Sequence, residues 1–265
     1  MYAEESIVLH LHRRSGNHPL SQRQTARQVW RSRGRRANCN PSHACMARGV
    51  LKRARHSRRI VTASQPIPKH LIERVEAGLP IVYPTSTQPA LGCLPNAAAL
   101  DRLFEVKGRP EDLIVSLGVA NLDQARALVE VPERAEEILA AFPPGSLTLV
   151  LPAHHALDAR LGGERVAIRL LSHPLARELV ALTGPLTATS ANPSGHPPHS
   201  ECTAAAAALG LDEGSALEGM CVGGTPSTLI AWNVSGYASI DTNWTIIREG
   251  KVSAEEIKAW STQPT

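Results

Sequence analysis

The 265-residue chain has none of the three glycine signatures that most directly mark a phosphate or ester site. Without GxxxxGK[ST] there is no expectation of a P-loop phosphate cradle; without GxGxxG, none of a dinucleotide fingerprint; without GxSxG, none of an esterase elbow. Cysteine is short of any framework. The five residues Cys39, Cys45, Cys93, Cys202 and Cys221 are odd in number and form no CxxC, which argues against a disulfide scaffold or zinc ribbon and suits a reducing cytoplasm. Two groupings, Cys39 with His43 and Cys45, and His196 with His199 and Cys202, lack a fourth ligand at a usual spacing, so no metal held by protein side chains is expected. Acid is missing from one end. Residues 1–65 hold 14 Lys and Arg against only Glu4 and Glu5, a net +12, while the remainder carries −8. That segment also lacks the continuous apolar stretch of a signal peptide or membrane span, and shows little apolar periodicity. A basic, disordered extension is the expectation, with no membrane role. Its arginines would attract RNA phosphates; the plainer readings are a solvated tail, or sequence upstream of an internal start such as Met46.

From Pro66 onward, short apolar runs alternate with segments of helical spacing. Strands are predicted at Ile81–Tyr83, Leu113–Leu117, Leu147–Leu151, Val166–Leu170, Leu229–Trp232 and Thr245–Arg248. Helices are predicted near Lys69–Ala77, Ala97–Phe104, Asp123–Val129, Glu133–Phe142, Pro174–Leu182, Cys202–Leu209 and Ser253–Trp260, the last opening on a Ser253/Glu256 capping box. The two expected domains are thus an extension over 1–65 and an α/β domain over 66–265, whose ligands should gather at loops leaving strand ends.

Four such loops concentrate hydroxyls or fixed positive charge. PTST (Pro84–Thr87) brings Thr85, Ser86 and Thr87; KGRP (Lys107–Pro110) brings Lys107 and Arg109, which on an extended segment would point to one side and meet one anion. TSANPSG (Thr189–Gly195) offers Ser190, Asn192 and Ser194, and GGTPST (Gly223–Thr228) sets glycine and hydroxyls before a strand. Each has a bland reading as well: a strand stop, surface charge or a helix-capping turn. Arg169, amid the apolar VAIRL, needs an anionic partner. His154 and His155 have no nucleophile beside them and read as a polar loop.

In order along the chain, PTST, KGRP, PPGSLTLVL, VAIRLLSHP, TSANPSG, PSTLIAW and IIREG resemble the YrdC-type threonylcarbamoyl-adenylate synthase family over roughly residues 68–258. The resemblance implies a twisted open mixed α/β sheet with flanking helices and a concave cavity. It implies a nucleotidyltransferase that joins L-threonine, bicarbonate and ATP, with Mg2+ carried by the ATP, into threonylcarbamoyl-adenylate and pyrophosphate. The product would pass to a tRNA threonylcarbamoyl-transferase complex that modifies the adenosine beside the anticodon. By the same resemblance Lys107 and Arg109 are catalytic and hold bicarbonate and ATP phosphates, Ser190, Asn192 and Arg248 meet the nucleotide, and Thr85, Thr87, Arg169 and Ser227 meet threonine and bicarbonate.

Those residue types suit that chemistry, because threonine's carboxylate, the carbamate and the triphosphate are all anions that fixed cations can hold together. Several positions depart from the family pattern. Ser86 stands where an acid is usual, Gln88-Pro89-Ala90 where Val-Tyr-Gly is usual, Ser116 at a histidine position, Pro226 for a glutamate and Asn233 for an aspartate; the segment after KGRP is also shorter. Two other functions compete: a non-catalytic module that binds double-stranded RNA, and an adenylate-forming enzyme with a different substrate.

Overall fold

In a computed structural model, which describes residues 66–232 and 244–262, helices and strands alternate along the chain. The expected basic extension and Asn233 lie outside the described residues. α1 (Lys69–Glu76) precedes β1 (Ile81–Tyr83) and β2 (Ala90–Gly92), and α2 (Ala97–Lys107) leads to β3 (Leu117–Val119). α3 (Leu122–Arg126) and α4 (Glu133–Ala141) come before β4 (Leu147–Pro152) and β5 (Arg165–Leu170). After α5 (Pro174–Thr183) come two very short strands, β6 (Leu186–Thr187) and β7 (Thr189–Ser190), then α6 (Cys202–Ala208), β8 (Thr228–Trp232), β9 (Trp244–Arg248) and α7 (Ala254–Ser261).

The strands make two open sheets. β1, β2 and β7 pair antiparallel, and a six-stranded mixed sheet runs in the order β6-β3-β5-β4-β8-β9, parallel at β3/β5 and β4/β8 and antiparallel elsewhere. This is the open mixed α/β architecture that the family resemblance implied. The period-two alternation of strand side chains sorts the larger sheet's two faces. Leu147, Leu149, Leu151, Val166, Ile168 and Ile230 enter the main core, where Leu100 and Leu103 of α2, Ile138 of α4 and Ile257 of α7 also pack. The other face holds a small apolar patch of Val150, Ala167, Leu229 and Ala231. Thr148, Arg165 and Arg169 share that second face, at even spacing from Val150 and Ala167.

A bulge in β9 adds one more side chain to it. Ile230 pairs with Ile246 but Leu229 pairs with Arg248, so β9 spends an extra residue, and Arg248 stands opposite Leu229. Opposed residues of an antiparallel pair share a face; a regular ladder would have put Ile247 there instead.

Two local expectations are corrected. KGRP is not an extended segment. Helix α2 begins on Asn96, whose side chain accepts from Ala99 N–H, and runs through Lys107 to Gly108, which takes the left-handed conformation (φ 58°) while Arg109 N–H bonds back to Phe104 O. Lys107 therefore ends a helix, and glycine supplies the conformation that ends it. The apolar run Leu113–Leu117 is likewise not a strand over its length, since β3 starts only at Leu117. Leu113 and Ile114 instead offer their carbonyls to Arg109 (3.1 and 3.2 Å). No helix among the described residues is long and apolar enough to cross a membrane.

Candidate active site

A cavity of about 320 Å³ opens over the second face of the six-stranded sheet, within the usual size range of small-molecule sites. β4 supplies Thr148 and Val150 to its floor, β5 supplies Arg165, Ala167 and Arg169, and β8 and β9 supply Leu229 and Arg248. Its rim is made by the Thr87–Ala90 and Thr189–Asn192 segments and by Arg109. Four arginines thus face one space, and no aspartate or glutamate lines it among the described residues.

The sequence expected seven of those wall residues: Thr87, Arg109, Arg169, Ser190, Asn192, Ser227 and Arg248 all line the cavity. The other two, Thr85 and Lys107, lie behind the wall. Lys107 is 1 % exposed, and its Nζ donates to Ser190 O (2.9 Å) and Asn192 O (2.8 Å), while Ser194 N–H donates to Lys107 O (3.0 Å). The end of α2 is thereby bound to the loop that carries Ser190 and Asn192. Asn192 is held further by its own amide, which donates to Pro193 O (3.0 Å) and His196 O (2.6 Å).

Of the four cavity arginines, Arg169 is the most buried. Buried to 7 % exposure, it donates from Nε and Nη2 to Gly145 O (3.1 and 3.0 Å), and from Nη2 to Thr87 Oγ1 (3.0 Å) and Ser86 Oγ (3.3 Å). Thr85 braces the same turn: its Oγ1 donates to Gln88 O (2.7 Å) and accepts from Thr87 N–H (3.2 Å). No carboxylate meets Arg169 in these contacts. Burial pulls its pKa down from the usual guanidinium value, and the charge of Arg248 pulls the same way. Burial also lowers Arg248 and Arg165. Arg248 donates from Nη2 to Ser227 O (2.9 Å), but its buried Nε has no hydrogen-bond partner among the described residues. A buried donor without an acceptor costs about 1–3 kcal/mol, and mutually repelling cations cost more. An anion in the cavity would relieve both.

Beside Arg169, Ser227 Oγ and Thr148 Oγ1 are hydrogen-bonded at 2.7 Å, a polar pair within the floor. Ser116, also on the cavity wall, gives its hydroxyl to Ala188 O (3.1 Å). Arg165 is the one cavity-lining arginine, among the described residues, that the sequence reading does not single out. Its Nη2 bonds to Trp232 O, pinning the end of β8. The signal was present, because RVAIRL places Arg165 four residues before Arg169, on the same strand face. His196 also lines the cavity, but no group of three or more His, Cys, Asp and Glu side chains is placed to share a metal among the described residues. Cys39, His43 and Cys45 lie outside them.

Comparison with known proteins gives this geometry relatives. The family model Sua5_yciO_yrdC, described as telomere recombination, matches residues 73–250. The chain is similar to the threonylcarbamoyl-AMP synthase of Bacillus subtilis (strain 168), with 36% identity over 185 residues, 68% of this chain and 52% of that protein. It therefore spans about half the length of that curated relative. Among solved structures it resembles P. abyssi Sua5 complexed with L-threonine (31% identity, TM-score 0.61, 71% of this chain and 55% of that one). It shares a fold with E. coli YciO (24% identity, TM-score 0.56, 70% of this chain and 89% of that one).

Proposed function

The chain belongs to the Sua5–YciO–YrdC family, and from that membership and the cavity's charge we propose that it is a threonylcarbamoyl-AMP synthase. The observation that carries the proposal is the concentration of four arginines and several hydroxyls, with no carboxylate lining it among the described residues, around a cavity of ligand size. The similar B. subtilis protein is named for that activity, and the similar P. abyssi structure is a complex with L-threonine.

In this reading threonine's amine and bicarbonate first lose water to form the carbamate. A carbamate oxygen then attacks the α-phosphorus of ATP, and pyrophosphate leaves. No side-chain nucleophile is needed; the protein's work is to hold anions close and in line. Arg169, with Thr87 and the Thr148–Ser227 pair beside it, receives the amino acid: the guanidinium meets the carboxylate and the hydroxyls meet the side-chain hydroxyl. Arg109, Arg165 and Arg248 surround the triphosphate, where charge grows on the departing pyrophosphate. Ser190 and Asn192 meet the nucleotide, and Lys107 acts through them as the cation that fixes their loop.

Magnesium belongs to this scheme as part of the nucleotide substrate. The described residues offer it no ligand set of their own, and none of these steps is routed through it. The product would serve an enzyme that transfers the threonylcarbamoyl group to a tRNA adenosine.

Omitting one component at a time tests the proposal. Pyrophosphate release should require ATP, bicarbonate and L-threonine together; release that is indifferent to the amino acid or to bicarbonate would refute it.

A further inference from the structure

Arg165 and Arg169 leave β5 on the same face, four residues apart, so about 13 Å of strand separates their Cα atoms. Arg169 stands opposite Gly118 in the sheet and Arg165 opposite Pro152. The floor between them is the apolar patch of Val150, Ala167, Leu229 and Ala231. The cavity therefore has two cationic ends. At one, Arg169 meets Thr87 beside the Thr148–Ser227 pair; at the other is Arg165.

Arg109 belongs to the Arg165 end. It is held by Leu113 O and Ile114 O, and that segment runs along the turn that feeds β5: Val115 N–H donates to Arg160 O (2.8 Å), and a Cβ added at Gly162 would stand 3.7 Å from Ile114 Cγ2. The register agrees. Leu117 lies beside Ile168 in the parallel β3/β5 pair, so Ile114, three residues earlier, falls level with Arg165, itself three before Ile168. Arg165 is half-buried, and among the described residues its side chain donates to Trp232 O, a neutral acceptor that engages Nη2, and joins no ion pair. That carbonyl fixes the guanidinium fork at the cavity wall and leaves its charge to be balanced by a ligand.

In phosphoryl transfer the attacking and leaving oxygens lie roughly in line with the phosphorus. With threonine's carboxylate on Arg169, the carbamate oxygen reaches the α-phosphorus from that side, and the β- and γ-phosphates extend the opposite way, along the floor toward Arg165. We propose that Arg165, beside Arg109, receives the terminal phosphate of ATP and is the residue by which the enzyme selects a nucleoside triphosphate over a diphosphate. With ATP, the carbamate oxygen bonds to the α-phosphorus, the bond from that phosphorus to its bridging oxygen breaks, and the electron pair leaves on pyrophosphate, whose far phosphoryl group is already on Arg165. ADP would break the same bond and release phosphate, but it ends one phosphate short and leaves Arg165 unpaired. The inference rests on the proposed function for the anion that occupies the Arg169 end.

Calorimetry on the full-length protein with Mg2+ present compares ATP, ADP, AMP, inorganic pyrophosphate and L-threonine, with Arg165→Gln and Arg165→Lys as variants. The unmodified protein should hold ATP at least about tenfold more tightly than ADP. Arg165→Gln should lose at least about tenfold in affinity for ATP and for pyrophosphate, bring ATP within about threefold of ADP, and leave AMP and L-threonine within about twofold; the ATP-over-ADP ratio in kcat/KM should fall with it. Arg165→Lys, which keeps the charge and a donor for Trp232 O, should show the same pattern with smaller losses, and is read by the same criteria if the glutamine variant does not fold. Equal losses for ATP and AMP would put Arg165 at the nucleoside, and an ATP-over-ADP preference that survives in the variants would remove it from the terminal phosphate; either result overturns the proposal. A protein that shows the expected affinities but makes no adenylate refutes the proposed function and leaves Arg165 as a polyphosphate reader, whereas one that makes the adenylate with its ATP preference intact in the variants refutes this inference alone.

Discussion

A buried arginine with only neutral acceptors is the residue on which the site turns. Arg169 faces Gly145 O, Thr87 Oγ1 and Ser86 Oγ, and its charge remains to be balanced by a ligand. A hydroxyl within that set can tell threonine from its isostere valine, because binding valine leaves the hydroxyl unpaired at a cost of about 1–3 kcal/mol. Thr87→Val should therefore erode the threonine-over-valine preference in kcat/KM while changing the ATP KM less; a preference left intact would remove Thr87 from the amino-acid site. Lys107 and Arg109, one residue apart in KGRP, should separate by experiment. Arg109→Ala should lower turnover at least about tenfold, roughly 1.4 kcal/mol of barrier, with little change in melting temperature. Lys107→Ala should lower both, since Ser190 O and Asn192 O lose a buried charged donor. At about 2–4 °C per kcal/mol for a domain of this size, thermal melts resolve that difference. Equal melting temperatures for the two variants would contradict the position found for Lys107.

Elements decide which of these side chains meet. The long runs LTLVL and VAIRL were legible as strands because both faces are buried or half-buried, and Ser253 with Glu256 was legible as a helix start because the capping box is local; in the structure both of its hydrogen bonds are present. β6 and β7 are two residues each, divided by Ala188, and too short for any period to register. β2 (Ala90–Gly92) is three residues long, just after a proline, and gives no period-two run in the sequence. The apolar Leu113–Val115 misled, since those residues owe their character to the cavity and core rather than to a sheet. The true end of α2 could have been read, as lysine, glycine and then proline is a helix stop. The β9 bulge that aims Arg248 could not, because it depends on pairing with β8. Two glycines test the element-level account. Gly108 and Gly145 both have left-handed backbone (φ 58° and 76°), so alanine at either should cost about 1 kcal/mol in strain. A Cβ at Gly108 meets nothing within 4 Å, whereas one at Gly145 would stand 2.7 Å from Ser86 Oγ and 2.9 Å from Ser172 Oγ. Both variants should melt lower, but only Gly145→Ala should also raise the threonine KM; a rise in both, or in neither, would break the link drawn from Gly145 to the amino-acid edge.

At the scale of the whole molecule, charge is sorted in a way that composition conceals. Residues 66–265 carry a net −8, yet their cavity gathers four arginines from the end of α2, from β5 and from β9, segments up to 139 positions apart. Only the topology brings them together, which is why individual motifs could be found in the sequence but the wall that gathers these arginines could not. The +12 over residues 1–65 is a separate matter. Deleting that segment should leave a folded, active domain and weaken only salt-sensitive RNA association. Loss of the cooperative thermal transition on deletion would contradict that division. The central claim is that one cationic cavity joins threonine, carbonate carbon and ATP. It is tested most directly by incubating the full-length protein with labelled bicarbonate, ATP and either L-threonine or L-valine, and identifying the labelled adenylate by mass. The account predicts threonylcarbamoyl-adenylate in large excess over the valine product; equal yields from the two amino acids, or no labelled adenylate at all, would contradict it.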